Sequence, residues 1–167
     1  MRKLLLTILL LSLTGCVRQE TGTLVNYNNS EIQPILGGAA PNVGDTAGGG
    51  IVYQVVGDTA YISRTVDDSA SAKWGCYGAA ITGSDSTTNG AQNTIDIVAG
   101  CSTAGIAARI CSDLSSGGYT DWYLPAKDQL NTMYSLRKTI GNFGENIFWT
   151  STENDWDEAY KAWIQYF

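Results

Sequence analysis

Apolar residues cluster first at the N-terminus, where residues 4–13 are almost wholly apolar behind Met1-Arg2-Lys3. Residues 17–43 then lose all periodicity, and Asn26-Tyr27-Asn28-Asn29-Ser30, Pro34, Gly37-Gly38 and Pro41 predict a spacer. Order is expected to begin near Gly44. Ile51-Val52-Tyr53-Gln54-Val55-Val56 is a β-rich run, Gly57-Asp58 a turn, and Ala60-Tyr61-Ile62-Ser63-Arg64-Thr65-Val66 a second run, the pattern of a hairpin. Residues 69–89 are rich in Gly, Ser, Thr and Ala, so a long ordered loop is expected, pinned by Trp74, Cys76 and Tyr77.

Helical spacing follows. Residues 94–99 predict a short helix ended by Gly100. A second helix, capped by Ser102 or Thr103 and running to about Leu114, would place Ile106, Ile110, Cys111 and Leu114 on one face. Leu124-Pro125 starts a third, with Leu130, Met133 and Tyr134 on its face and Gly141 at its end. The tail returns to strand over residues 147–152 and 159–167. In the last strand, Tyr160, Ala162, Ile164 and Tyr166 alternate with Lys161, Trp163, Gln165 and Phe167.

The first sixteen residues have the order of a secretory signal: basic start, apolar stretch, small residues at a cleavage point. The apolar stretch is shorter than the roughly 20 residues that cross a bilayer. Leu13-Thr14-Gly15-Cys16 resembles the lipobox of bacterial lipoproteins. That resemblance implies diacylglycerol on the Cys16 thiol, cleavage before Cys16 and acylation of the new amine. Val17 stands where an Asp would signal inner-membrane retention, which implies the outer membrane or cell surface. The expected division is 1–15 signal peptide, 16–43 lipidated Cys and flexible spacer, and 44–167 folded domain, with the membrane a partner through the anchor.

Charge narrows the partners. The chain has 10 Lys+Arg and 16 Asp+Glu, and loss of Arg2 and Lys3 with the signal takes the net charge from -6 to -8. Such a surface repels nucleic acid and polyanionic glycans. There is no His and no Cys-x-x-Cys, so neither a zinc site nor a cofactor is expected. With Cys16 assigned to lipid, Cys76, Cys101 and Cys111 form an odd set, read as one disulfide and one buried thiol.

Several separated motifs then point one way. Gly117-Gly118-Tyr119-Thr120-Asp121-Trp122-Tyr123-Leu124-Pro125 through Leu130 resembles the signature of the Lcl C-terminal domain family. Phe148-Trp149-Thr150-Ser151-Thr152-Glu153, followed by Ala162-Trp163 and Phe167, resembles that family's ending. Trp74-Gly75-Cys76, Ala99-Gly100-Cys101-Ser102-Thr103 and residues 107–114 match a subgroup. The resemblance covers about residues 44–167. It implies an α+β, C-type-lectin-like fold related to formylglycine-generating enzymes, with short helices and antiparallel strands. Members occur in adhesins and surface lipoproteins, and relatives of the fold serve as variable receptors. The family's pattern continues past the equivalent of Phe167 into a further hairpin, so either the chain is truncated or the fold closes differently. Read from the residues themselves, Tyr119, Trp122 and Leu124 suit a core plug, and Asp121 is expected to accept backbone or indole hydrogen bonds.

Catalysis finds little support in these residues. Ser151 is not in a nucleophile elbow and has no His as base. Cys101 and Cys111 would have to act as the active-site pair of a formylglycine-generating enzyme, yet they match structural Cys of the subgroup. Glu153, Asn154, Asp155, Asp157 and Glu158 could bind Ca²⁺ or pose as a carboxylate pair, but a solvated loop is the simpler reading. Trp156, set among charges, is the best ligand contact. The expected contact surface is Asp155, Trp156, Asp157, Tyr160, Ile164 and Tyr166, with Trp163 and Phe167 holding it from the core side. Cys76 is expected to pair with Cys101, leaving Cys111 buried as a thiol. Two functions follow: a surface-anchored binding module for an extracellular protein or glycan, or an envelope lipoprotein without a discrete ligand.

Overall fold

The computed structural model describes residues 13–21, 41–69, 71–76, 80–141, 143–154 and 162–167. Within them the protein is α+β, with short antiparallel strands at both ends of a run of short helices. The strands are β1 (Leu13–Thr14), β2 (Val17–Thr21), β3 (Thr46–Ala47), β4 (Gly50–Val56), β5 (Thr59–Ser63) and β6 (Asp67–Ser69). Then come helices α1 (Gly90–Gly100), α2 (Ala107–Ser112), α3 (Lys127–Ser135) and α4 (Arg137–Ile140), and strands β7 (Ile147–Glu153) and β8 (Ala162–Tyr166). The central sheet has the order β2-β5-β4-β3, while β1 pairs with β6 and β7 with β8.

The β4–β5 hairpin forms where the alternation placed it. Val56 pairs with Thr59 around the two-residue turn, where Gly57 takes φ +57°. The register shifts between Val52 and Gln54, so Tyr53 is the extra residue of a bulge. Side chains alternate across this sheet, and both faces are covered. Val52, Ala60 and Ile62 join Ile97, Ile106, Ala107, Trp122 and Leu124 on one side. Tyr53 and Val17 join Leu130, Met133, Ile140, Phe143 and Phe148 on the other.

Residues 17–43 do not begin as a spacer. Val17–Thr21 is an in-register strand against β5, with Val17 buried and bridged to Tyr123 on its other side. The sequence Val-Arg-Gln-Glu-Thr hides this because its polar residues have distant partners. Arg18 donates to both carboxylate oxygens of Asp121, at 2.9 and 3.1 Å, and to Glu20 at 2.8 Å. Its guanidinium also lies 3.7 Å from the centre of the Tyr119 ring. Asp121 therefore serves Arg18, and the Trp122 indole donates instead to the Ser116 carbonyl at 3.3 Å. Trp122 and Leu124 are buried plugs as expected, whereas Tyr119 is half-exposed.

Helix α1 starts four residues earlier than the apolar pattern suggested. Asn89 caps it by accepting from the Gln92 N–H at 3.1 Å. Its buried stripe is Gly90, Asn93, Thr94 and Ile97, which is helical in spacing but mostly polar or small. Gly90 is required by close packing: a Cβ there would lie 2.6 Å from the Ala126 nitrogen and the Leu124 carbonyl oxygen. Helix α2 starts later than expected, at Ala107, because Gly105 (φ +70°) turns the chain and Ile106 bridges to Lys73. Neither Ser102 nor Thr103 caps it. Arg109 donates to the Val98 and Cys101 carbonyls at 2.9 and 2.8 Å, closing the C-terminal end of α1.

Candidate functional site

Two places concentrate the residues singled out by the sequence: the β7–β8 ribbon and the cysteines. The ribbon is fixed from within by Phe148, fully buried, in edge-to-face contact with Phe143 and Phe167 at 5.7 and 4.7 Å between ring centres. Phe143 and Phe167 stack at 4.2 Å. Phe167 thus holds the strand down, as expected.

Trp163 does not. It is 37 % exposed, and its ring lies 3.6 Å below the Lys127 ammonium. The ladder explains why. Ile147 faces Tyr166, Phe148 faces Gln165 and Trp149 faces Ile164, but the register then shifts before Glu153 meets Ala162. Trp163 falls opposite Thr150, Ser151 and Thr152, whose buried side is a polar seam. There Asn93 donates to Ser151 Oγ and to the Ser86 carbonyl, and Thr152 Oγ1 donates to that same carbonyl. An indole has no apolar slot at that level. Ile164 and Tyr166, expected in the contact surface, are 38 % and 62 % exposed. Two residues apart, they share one face of β8 as a displayed pair of large side chains, while Trp163 lies on the other face beside Lys127. Asp155, Trp156, Asp157 and Tyr160 lie outside the described residues, in the connection that leaves at Asn154 and returns at Ala162.

Glu153 belongs to the frame. It is buried and accepts from the Ile81 N–H and from Ser84 Oγ, while its own N–H donates to the Ser84 carbonyl at 2.7 Å. The loop before α1 is pinned further by two indoles: Trp74 donates to the Thr150 carbonyl at 2.8 Å, and Trp149 to the Ala72 carbonyl at 2.9 Å. Gln129, a position inside the signature to which the sequence reading gives no role of its own, receives the Ala126 and Gly90 N–H groups and donates to the Tyr123 hydroxyl. Burial pushes the phenols of Tyr53 and Tyr123 well above the ordinary range, with Tyr61 adding to both shifts. Among the described residues no group of three His, Cys, Asp or Glu is arranged to hold a metal ion.

All four cysteines are paired. Cys76 is bonded to Cys101, with Cα atoms 5.5 Å apart. Cys16, expected to carry lipid, is bonded to Cys111, expected to be a free thiol. This corrects the cysteine assignment for the folded form: Cys111 sits on the inner face of α2, and β2 brings Cys16 into the same core. One sulfur cannot hold a thioether and a disulfide together. Two disulfides fit an oxidising compartment. Among the described residues, no helix is long and apolar enough to cross a membrane. No family model matches the chain, and neither does any curated protein or solved structure.

Proposed function

We propose that the chain is an exported envelope lipoprotein whose domain is a C-type-lectin-like binding module for an extracellular protein or glycan. The observation that carries this reading is the pair Ile164 and Tyr166, two residues apart and therefore on one face of β8, both exposed. Large side chains that remain in water on a rigid two-stranded ribbon offer contact area at little entropic cost. Asp155, Trp156, Asp157 and Tyr160, which fall in the sequence between Asn154 and Ala162, complete the proposed contact set.

A binding role also agrees with how the polar side chains are used. Glu153, Asn93, Thr94, Ser151 and Gln129 are engaged in hydrogen bonds that hold elements together. Ser151, the one serine considered as a nucleophile, meets Asn93 rather than a base. Membrane attachment would come from lipid on Cys16, on the outer membrane or cell surface.

The test is a glycan array combined with crosslinking capture from envelope fractions, using the full chain purified in detergent. Wild type is compared with Ile164→Ser, Tyr166→Ala and Trp156→Ala. The reading expects a ligand that wild type retains and the variants lose at unchanged melting temperature. Retention by all variants would remove this face. Capture of nothing by wild type would leave an envelope lipoprotein with no discrete ligand.

A further inference from the structure

The segment that resembles a lipobox is folded into the core. Gly15 takes φ +83°, and a Cβ on it would lie 2.9 Å from Met133 Cε. Cys16 is wholly buried, its carbonyl accepting from the Arg64 N–H at 3.2 Å. Val17 is gripped on both sides. It pairs with Ser63 in β5, its N–H donates to the Tyr123 carbonyl at 2.9 Å, and its carbonyl accepts from Tyr123 at 2.7 Å. Leu13–Thr14 pairs with β6. An enzyme that alkylates Cys16 or cuts before it needs the thiol free and the Gly15–Cys16 backbone open to its own site. The folded domain offers neither.

We propose that the Cys16 sulfur is a branch point, alkylated while the chain is unfolded or sealed by folding and oxidation onto Cys111. This rests on the lipoprotein reading above. Each branch is balanced. In the first, the Cys16 thiolate attacks a glyceryl carbon of a phosphatidylglycerol lipid. A C–S bond forms, the C–O bond to phosphate breaks, glycerol phosphate leaves with the electron pair, and the thiol proton goes to solvent. In the second, Cys16 attacks the disulfide of an envelope thiol oxidoreductase. Cys111 then displaces that protein from the mixed disulfide. The two thiols lose two protons and two electrons, and the oxidoreductase leaves as a dithiol.

Order of emergence decides between the branches. An exported chain presents Cys16 first, and Cys111 follows 95 residues later. Throughout that interval Cys16 lacks both its disulfide partner and the Tyr123 segment that grips Val17, and for the first half it lacks β5 as well. Alkylation therefore belongs to the early window, and folding closes it. The anchored form carries Cys111 as a thiol, and the oxidised form keeps residues 1–15.

The experiment uses the full chain, refolded in detergent with a disulfide catalyst. A non-reducing peptide map verifies the Cys16–Cys111 link. The chain is then incubated with bacterial membrane vesicles that process lipoproteins and with phosphatidylglycerol labelled in its acyl chains. The oxidised chain should take no label, and the same chain reduced and unfolded in urea just before dilution should take it. Cys111→Ala unfolded in urea just before dilution should take label without any reductant, and Cys16→Ser should never label. Equal labelling of oxidised and reduced wild type, or refolded chain without the linked peptide, overturns the branch point. Absence of label even from the reduced, unfolded chain overturns the lipoprotein reading itself, and the branch with it.

Discussion

Glu153 reaches across 72 residues to the Ile81 N–H, its two carboxylate oxygens lying 3.0 and 3.3 Å from that nitrogen. The acid at the end of β7 is thereby the fastener of the loop that precedes α1. Its second ligand is Ser84 Oγ at 3.1 Å. Glu153→Gln keeps the shape but sets an amide N–H₂ against donors. It should cost about 1–3 kcal/mol, the range for stranding a buried polar group. Urea denaturation reads this directly, and an unchanged midpoint would show that the loop holds without the carboxylate.

The ribbon should divide into residues that stabilise and residues that display. Phe148→Ala removes a fully buried ring from the Phe143–Phe167 stack and should cost about 3–5 kcal/mol. Trp163→Ala removes a ring that keeps much of its water and should cost only about 1 kcal/mol, mostly the cation–π contact with Lys127. Thermal melts of the two variants test the order. A Trp163→Ala loss as large as that of Phe148→Ala would contradict its exposed position.

Alkaline pH should weaken the fold through its buried phenols. The folded-state pKa values of Tyr53 and Tyr123 lie above the unfolded value, so the folded protein holds protons that the unfolded chain releases. Their contribution is complete below about pH 10 and falls as pH rises beyond it. Tyr53 Oη has no hydrogen-bond partner among the described residues. Tyr53→Phe should therefore change stability little at neutral pH and flatten the alkaline decline. A decline of unchanged slope in the variant would assign it to other groups.

Asp121 should hold the N-terminal strand more than the turn in which it lies. Asp121→Ala leaves the Arg18 guanidinium with Glu20 as its remaining carboxylate partner, in a site where Arg18 is 5 % exposed and Asp121 49 %. The exposure of Asp121 limits the cost to about 1–2 kcal/mol. Amide exchange should locate it, with protection falling in β2 before β4. Uniform loss across the sheet would show that the pair supports the whole domain.

Local signals were legible and distant ones were not. The β4–β5 hairpin, β7 and β8 stand out because apolar alternation lies within each segment, and α3 is announced by Leu124-Pro125 just ahead of its start at Lys127. Apolar periodicity alone predicts too short a helix α1, since Gly90, Asn93 and Thr94 fill its buried face. Strand β2 was read as spacer because its partners lie about forty or more residues away. Asp121 could be singled out as a turn residue, but its partner Arg18 is 103 residues distant. Pairing of Cys16 was hidden by a local motif that assigned the same sulfur elsewhere. The exposure of Ile164 and Tyr166 follows from strand alternation. That of Trp163 does not, because the register shift in the ladder leaves no local trace.

Tyr61 and Ile62 are neighbours in β5, yet Ile62 belongs to one apolar cluster and Tyr61 packs against the other. The central sheet is in this sense a party wall, and neither room can be emptied while the other stays furnished. Thermal unfolding should consequently be a single event in which calorimetric and van't Hoff enthalpies agree. A substitution that loosens the cluster around Phe148 should therefore lower the melting temperature of the cluster around Ile97 by the same amount.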